Sequence, residues 1–225
     1  ADNVDYEILS NLKHIGLASI FVGFESASNN ILKRLNKGYK IEDICHVLDI
    51  VKKVDMPIRV GTLLADPYST LDDIKETIDF YIENKYFDYL RIVGVGSIFH
   101  ELHLHMGTPI YKFYKDDVCP NKTFGEVPCY YLNADTKLFI EVARYYHNLI
   151  LERYNKCFEY DWPSAFKKRY FYSLRIIALY GLQRIIIQMQ QGDNYLGLKD
   201  NIDKIIGKHD NTWLTTKTEV IENGK

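Results

Sequence analysis

Three short, continuous apolar runs separated by amphipathic segments constrain the fold of this chain more than any other feature. The runs are "ASIFVGF" (18–24), "IRVGTLLA" (58–65) and "DYLRIVGVG" (88–96). Runs of this kind suit strands covered on both faces. Between them the apolar residues switch to helical spacing. Ile41, Ile44, Val47, Leu48 and Val51 precede the second run, and Leu71, Ile74, Ile78 and Tyr81 precede the third. Val4, Ile8, Leu9 and Leu12 form a similar stripe ahead of the first run, closed by Gly16, and a helix through Ile31 and Leu35 ends near Asn36 and Gly38. Strands alternating with helices of this length predict right-handed β-α-β units and a parallel sheet, so the expected fold class is α/β. Three strands make only a partial sheet, whose open edge would leave backbone groups unpaired.

The second half reads differently. From Ser97 to Ala134 the pattern is irregular, with Gly107, Pro109, Pro120, Gly125 and Pro128 breaking any long element. Three helical stretches follow, Thr136 to Tyr154, Ala165 to Gln191 and Leu198 to Ile206, and the polar tail from Lys208 is expected to fray. The most apolar of these, "SLRIIALYGLQRIIIQM", is interrupted by Arg175 and Arg184 and predicts a buried helix rather than a membrane span.

Charge and cysteine content narrow the partners. Lys and Arg total 28 against 30 Asp and Glu, a net charge of −2, which gives no electrostatic reason to expect nucleic acid or an anionic membrane. Cys45, Cys119, Cys129 and Cys157 have neither the density of a disulfide framework nor the spacing of a metal site, which fits a reducing cytoplasm. The first residue is Ala, so the chain is read as processed or as a piece of a longer protein.

Ligands of parallel α/β proteins gather at the carboxyl ends of the strands. The first run delivers Glu25, Ser26 and Ser28 there; the second delivers Asp66, Pro67, Tyr68, Ser69 and Thr70; the third delivers Gly94, Gly96 and Ser97. A carboxylate at such a point suits a vicinal diol, its two oxygens matching two hydroxyls. The alternative is that Glu25 and Ser26 only cap the following helix. Lys33, Arg34, Lys37 and Lys40 read as a solvated face, because Glu42 and Asp43 follow at once. His100, His103 and His105 lack a fourth ligand at useful spacing, so no metal site is assigned. The helical tyrosines are expected to bury their rings with the hydroxyl at the rim.

The stretch "GLASIFVGFESASNNILKRLNKGYKIEDI" resembles the fourth strand and helix of the radical S-adenosylmethionine (SAM) enzymes, particularly their cobalamin-binding branch. "MPIRVGTLLADPYSTLDDIKETIDFY" is similar to the fifth strand and helix, and "FDYLRIVGVGSIFHELHLHMGTPIYK" to the sixth, with "GTPIYK" resembling a G-T-P-L-Y ending. The resemblance covers residues 1 to 112. It implies strands 4–6 of a partial (β/α)6 barrel of TIM-like type, residues 113–134 as an irregular connection, and a mainly helical extension over 135–225.

The same resemblance implies SAM as cofactor, with Glu25, Ser26 and Ser28 beside its ribose and amino-acid part and Gly94 and Gly96 flanking the adenine; Tyr68-Ser69 replace the more usual Gly-Glu pair, so either Asp66 serves in its stead or Tyr68 reshapes the pocket. It also implies a [4Fe-4S] cluster held by a C-x3-C-x2-C loop, which this sequence lacks, so the cluster ligands and any cobalamin domain are expected outside it. In the family the cluster cleaves SAM to a 5′-deoxyadenosyl radical. The chain is therefore read as a fragment that positions SAM and a small-molecule or peptide substrate, inactive without the missing half of the barrel. Two other readings stay open: a non-catalytic interaction module, and a self-contained α/β enzyme using Glu25 and Asp66 as an acid–base pair.

Overall fold

In a computed structural model of the chain, residues 5–85, 98–118, 126–128 and 131–222 are described. They form an α/β fold with few parallel strands and mostly helical content. Contacts divide the chain into two units, 1–137 and 138–225.

The first unit opens with α1 (Tyr6–His14), started by Asp5, whose Oδ1 accepts from the backbone N–H of Glu7 at 2.7 Å and of Ile8 at 3.2 Å. Gly16, at φ +110°, turns the chain out of the helix. Strand β1 (Ile20–Glu25) leads to α2 (Asn29–Arg34) and α3 (Ile41–Val54), then β2 (Ile58–Thr62) leads to α4 (Leu71–Glu83). Strands β1 and β2 pair in parallel, Ile20 opposite Ile58 and Gly23 opposite Gly61, with an irregularity between Gly23 and Glu25. Lys13 Nζ donates to the carbonyls of Val54 at 2.7 Å and Asp55 at 2.9 Å, so a cation from α1 satisfies acceptors at the C-terminus of α3. Thr70 starts α4 with a reciprocal cap: its Oγ1 accepts from Asp73 N–H, and Asp73 Oδ2 accepts from Thr70 N–H.

The helices bury one stripe each against the sheet. Ile44, Val47, Leu48 and Val51 of α3, and Ile74, Ile78 and Tyr81 of α4, are all buried with Phe24, Ile58 and Val60. The strands themselves are not covered on both faces, contrary to the reading of their continuous apolar runs. Phe21 is 65% exposed and Arg59 is exposed opposite it, the guanidinium 6.0 Å from the ring centroid. Unbroken apolar runs therefore mark where the strands lie, while one face of the pair stays open.

The third apolar run, 88–96, lies outside the described residues. Segment 97–134 is less irregular than its glycines and prolines imply. It contains β3 (His103–His105), α5 (Pro109–Val118) and β4 (Glu126–Pro128), with β3 and β4 antiparallel. Pro109 starts α5 instead of breaking it, because the first turn of a helix has no intrahelical use for the missing N–H. Leu102, Leu104 and Tyr114 close a small core with Ile31 and Leu35.

The second unit is helical: most of α6 (Ala134–Glu159), then α7 (Ser164–Gln190) and α8 (Tyr195–Glu222). Its core is built from Phe139, Tyr146 and Ile150, from Leu174, Leu182 and Ile186, and from Leu198, Ile202 and Ile206. The expected fraying at Lys208 does not occur, for α8 continues through Gly207 to Glu222. Buried His209 on that continuation, within hydrogen-bond distance of Ser173 Oγ, explains why polarity did not end the helix. No helix among the described residues is long and apolar enough to cross a membrane.

Candidate functional site

The open face of the β1–β2 pair is bare of side chains where Gly23 stands opposite Gly61. Two neighbours lean over the gap. A Cβ on Gly61 would come within 2.9 Å of the Phe21 ring, and one on Gly23 within 2.9 Å of Glu25 Oε1. The Glu25 carboxylate therefore folds back over Gly23. It reaches that position from a left-handed backbone, φ +58°, at the carboxyl end of β1.

Lys37 fixes the carboxylate, Nζ donating to Oε1 at 2.8 Å. Oε2 has no hydrogen-bond partner among the described residues. The end of α2 presents Lys37: Asn36 at φ +52° and Gly38 at φ +70° reverse the chain, and Tyr39 latches the reversal to β1 by donating to Gly23 O at 2.7 Å. Burial, and then the Glu25 charge, push the Tyr39 hydroxyl up to about 12, so it stays a donor at any physiological pH. Glu25, Arg34, Lys37, Leu63, His103 and Phe113 are among the residues lining a cavity of about 590 Å3.

The other expected site residues are placed elsewhere. Ser26 and Ser28 are fully buried. Ser26 Oγ is 2.7 Å from Thr77 Oγ1 and accepts from Ser28 N–H, while Ser28 Oγ donates to Asp73 at 2.8 Å. Ser28 occupies the N-cap position of α2 without a side-chain cap bond, and Glu25 makes none, so helix capping does not explain the Glu-Ser-Ala-Ser stretch. Asp66 is also fully buried: it accepts from Arg34 Nε at 2.6 Å, Tyr114 Oη at 3.2 Å, Ser69 Oγ at 3.0 Å and Tyr68 N–H at 2.9 Å. Gly94 and Gly96 lie outside the described residues, as do Ser97, Cys119 and Cys129.

Arg34 is the residue that composition misjudged. Instead of a solvated face, it and Lys37 turn to carboxylates, whereas Lys33 and Lys40 are exposed. Arg34 also reaches Asp73, Nη2 to Oδ2 at 3.3 Å. Burial would raise the Asp73 carboxyl, but donors from Ser28, Thr70 and Asn30, with the Arg34 charge, outweigh it and hold it below the usual value. The loop after β2 is fastened from afar as well: Leu132 N–H donates to Pro67 O at 3.0 Å, and Thr136 Oγ1 to Ser69 O at 2.6 Å. The pairs Gly23–Gly61 and Glu25–Lys37 were missed in the sequence. The one glycine within each of the first two apolar runs was the visible signal of the Gly23–Gly61 pair, and Lys37 carried none.

Among the described residues no group of three or more His, Cys, Asp or Glu converges to hold a metal ion. Cys45 is exposed and Cys157 buried in the other unit.

Residues 1–81 match the family model described as the radical SAM superfamily. The chain is 38% identical over 66 residues to a 4′-phospho-dehydrooxetanocin synthase of Priestia megaterium, a match covering 29% of this chain and 9% of that one. It is 31% identical over 102 residues to a tRNA-2-methylthio-N(6)-dimethylallyladenosine synthase of Thermotoga petrophila, covering 44% and 21%. The chain thus spans about a fifth or less of the length of these relatives. Among solved structures, the cobalamin-dependent SAM radical enzyme OxsB with aqua-cobalamin bound superposes with a TM-score of 0.70 at 17% identity, over 97% of this chain and 40% of that one. The form with SAM also bound gives 0.68. These likenesses show the fold, and the cofactors that the family implies are SAM and a [4Fe-4S] cluster. The likeness to the radical SAM superfamily thus rests on residues 1–81 of this chain.

Proposed function

We propose that the chain supplies the second half of a partial (β/α)6 barrel in a longer radical SAM enzyme, and that Glu25 rims the SAM site. The observation that carries the reading is the Glu25 carboxylate, held by Lys37 beside the cavity at the carboxyl end of β1. Its fit to the cofactor is chemical: Oε1 is taken by Lys37, and Oε2 is left to accept from a ribose hydroxyl. The glycine pair beside it lets a flat ligand approach the backbone closely. The sequence has no C-x3-C-x2-C loop, so in this reading the ligands of the iron–sulfur cluster, and any cobalamin domain, belong to polypeptide outside it.

When bound, the cluster supplies the electron that cleaves SAM. The residues of this chain bind and orient. Glu25 holds one edge of the cofactor, Lys37 fixes the carboxylate rotamer, and Gly23 keeps the space into which the carboxylate folds. Ser26, Ser28 and Asp66 act behind that surface, joining the loops after β1 and β2 to α4 and α2. The reaction in this reading is a methyl transfer or a rearrangement on a small-molecule or peptide substrate. The acid–base alternative is not favoured, because Asp66 is fully buried on Arg34 and does not line the cavity with Glu25.

The test uses the full-length protein, reconstituted anaerobically with iron and sulfide. Glu25→Gln should weaken SAM binding about tenfold, the value of one charge-assisted hydrogen bond, while Glu42→Ala should leave it unchanged. Equal effects of the two substitutions would overturn the assignment of Glu25. Absence of SAM-dependent 5′-deoxyadenosine from the wild type would overturn the enzyme reading itself.

A further inference from the structure

Helix α7 carries Lys167, Lys168, Arg169, Arg175 and Arg184 and no Asp or Glu along its length. Among the described residues none of these cations meets a carboxylate. For an exposed side chain that is ordinary, because water serves the charge. Arg175 differs. It is half-buried, its Nε is closed to solvent without a hydrogen-bond partner, and its Nη groups stay within reach of solvent. Two other half-buried arginines show the contrast. Arg34 turns to Asp66 and Arg153 to Asp210. Burial would lower the pKa of both, but the carboxylates outweigh it and the value rises. For Arg175 burial wins and holds the guanidinium below its usual value, opposed only by the Tyr154 and Tyr172 hydroxyls. A charge left in this state costs stability, and an arriving anion would recover that cost.

The surface beside Arg175 is aromatic. Phe171 stands one turn before it and Lys167 one turn before that, so the three share a face of α7. Tyr154 and Phe158 of α6 pack on Phe171, with ring centroids 4.7 and 5.5 Å away. Phe158 is 61% exposed. An open aromatic patch is thus bracketed by two cations whose backbone positions lie about 12 Å apart along the helix axis. A nucleic-acid strand would need a continuous basic track, and exposed Glu152 and Glu159 on the neighbouring stretch of α6 interrupt one. A second helix laid along this face matches the spacing turn for turn, with an apolar residue on the rings and an acidic residue four positions to either side.

We infer that this face of α6 and α7 docks an acidic amphipathic helix of a protein partner, one carboxylate on Arg175, another on Lys167 and an apolar side chain on the Phe158 and Phe171 rings between them. The inference does not rest on the radical SAM reading, since every residue involved lies in the helical unit.

Fluorescence-polarisation titrations of the full-length protein test it. The probe is a labelled alanine-based helical peptide with one leucine and a glutamate four residues to either side. It should bind saturably at low salt, about tenfold more tightly than its glutamine counterpart. A uridine oligonucleotide should not displace it. Arg175→Met keeps the buried stem and loses the charge, so it should bring the two peptides close to equal affinity. The same variant should raise the urea midpoint of the free protein, because an uncompensated charge is removed. Arg169→Gln, on another face of α7, should leave peptide binding unchanged, and Phe158→Ala, at an exposed position, should weaken both peptides. No saturable binding, equal affinity of the two peptides for the wild type, or displacement by the oligonucleotide would each overturn the inference. So would an Arg175→Met variant that is less stable than the wild type or keeps the preference, an Arg169→Gln variant that loses it, or undiminished binding by Phe158→Ala.

Discussion

Arg34 Nε donates to Asp66 Oδ2 across 2.6 Å, joining the last turn of α2 to the loop that leaves β2. The same guanidinium reaches Asp73 in the first turn of α4. Arg34→Met should leave a fully buried Asp66 without its cation and destabilise the protein by about 3 kcal/mol, measured as a shift of the urea midpoint. Arg34→Lys should recover only part of this, because an ammonium cannot span both carboxylates with a planar fork.

Asp73 gives stability a pH dependence of known sign. Its carboxyl titrates below the usual aspartate value in the folded protein. The unfolded chain therefore binds the proton more readily, and stability rises with pH through that interval. The contribution is complete above the ordinary carboxylate range and is lost as pH falls through the lowered value. Urea titrations between about pH 5 and pH 2 should show a shallower acid decline in Asp73→Asn than in the wild type.

Backbone and carboxylate at Glu25 are separable. Its φ of +58° is accessible to glycine and unfavourable for a β-branched residue. Both Glu25→Gly and Glu25→Val remove the carboxylate and the ion pair with Lys37. The Val variant should nevertheless be less stable than the Gly variant by about 1–2 kcal/mol, read from thermal or urea unfolding.

In the helical unit, a Cβ on Gly181 would fall inside the contact distance of the Tyr146 ring. Tyr146 is fully buried, and its hydroxyl donates to Ile177 O at 2.6 Å, so the ring has no room to retreat. Gly181→Ala should cost about 3 kcal/mol through overpacking and lower the thermal midpoint. Replacing Tyr146 by Leu in the same chain should return part of that loss.

Much of this architecture was written locally. The helical stripes of α3 and α4 were legible because each apolar residue repeats at the spacing of one face, and Gly16 and Gly38 marked reversals that only a positive φ allows. Glu25 was legible as a strand-end carboxylate. Its support was not, because Lys37 lies twelve residues on and reads as one more solvated cation until the chain reverses at Asn36. Arg34, Asp66 and Asp73 escaped for the same reason: their pairing spans 32 and 39 residues, and composition weighs charges without saying which are neighbours. Pro109 and the polar face of α8 misled in the opposite direction, since local breakers yield when a helix start or a buried core stabilises the element.

The bonds from Leu132 and Thr136 to the carbonyls of Pro67 and Ser69 bear on how this scaffold could be re-engineered. The loop after β2 does not own its shape: two of its acceptors are satisfied by a segment more than sixty residues downstream. A graft of residues 66–70 from another protein would arrive without its fasteners. Exchanging this loop therefore means moving 131–136 with it, and the two stretches form one unit of inheritance although the chain separates them.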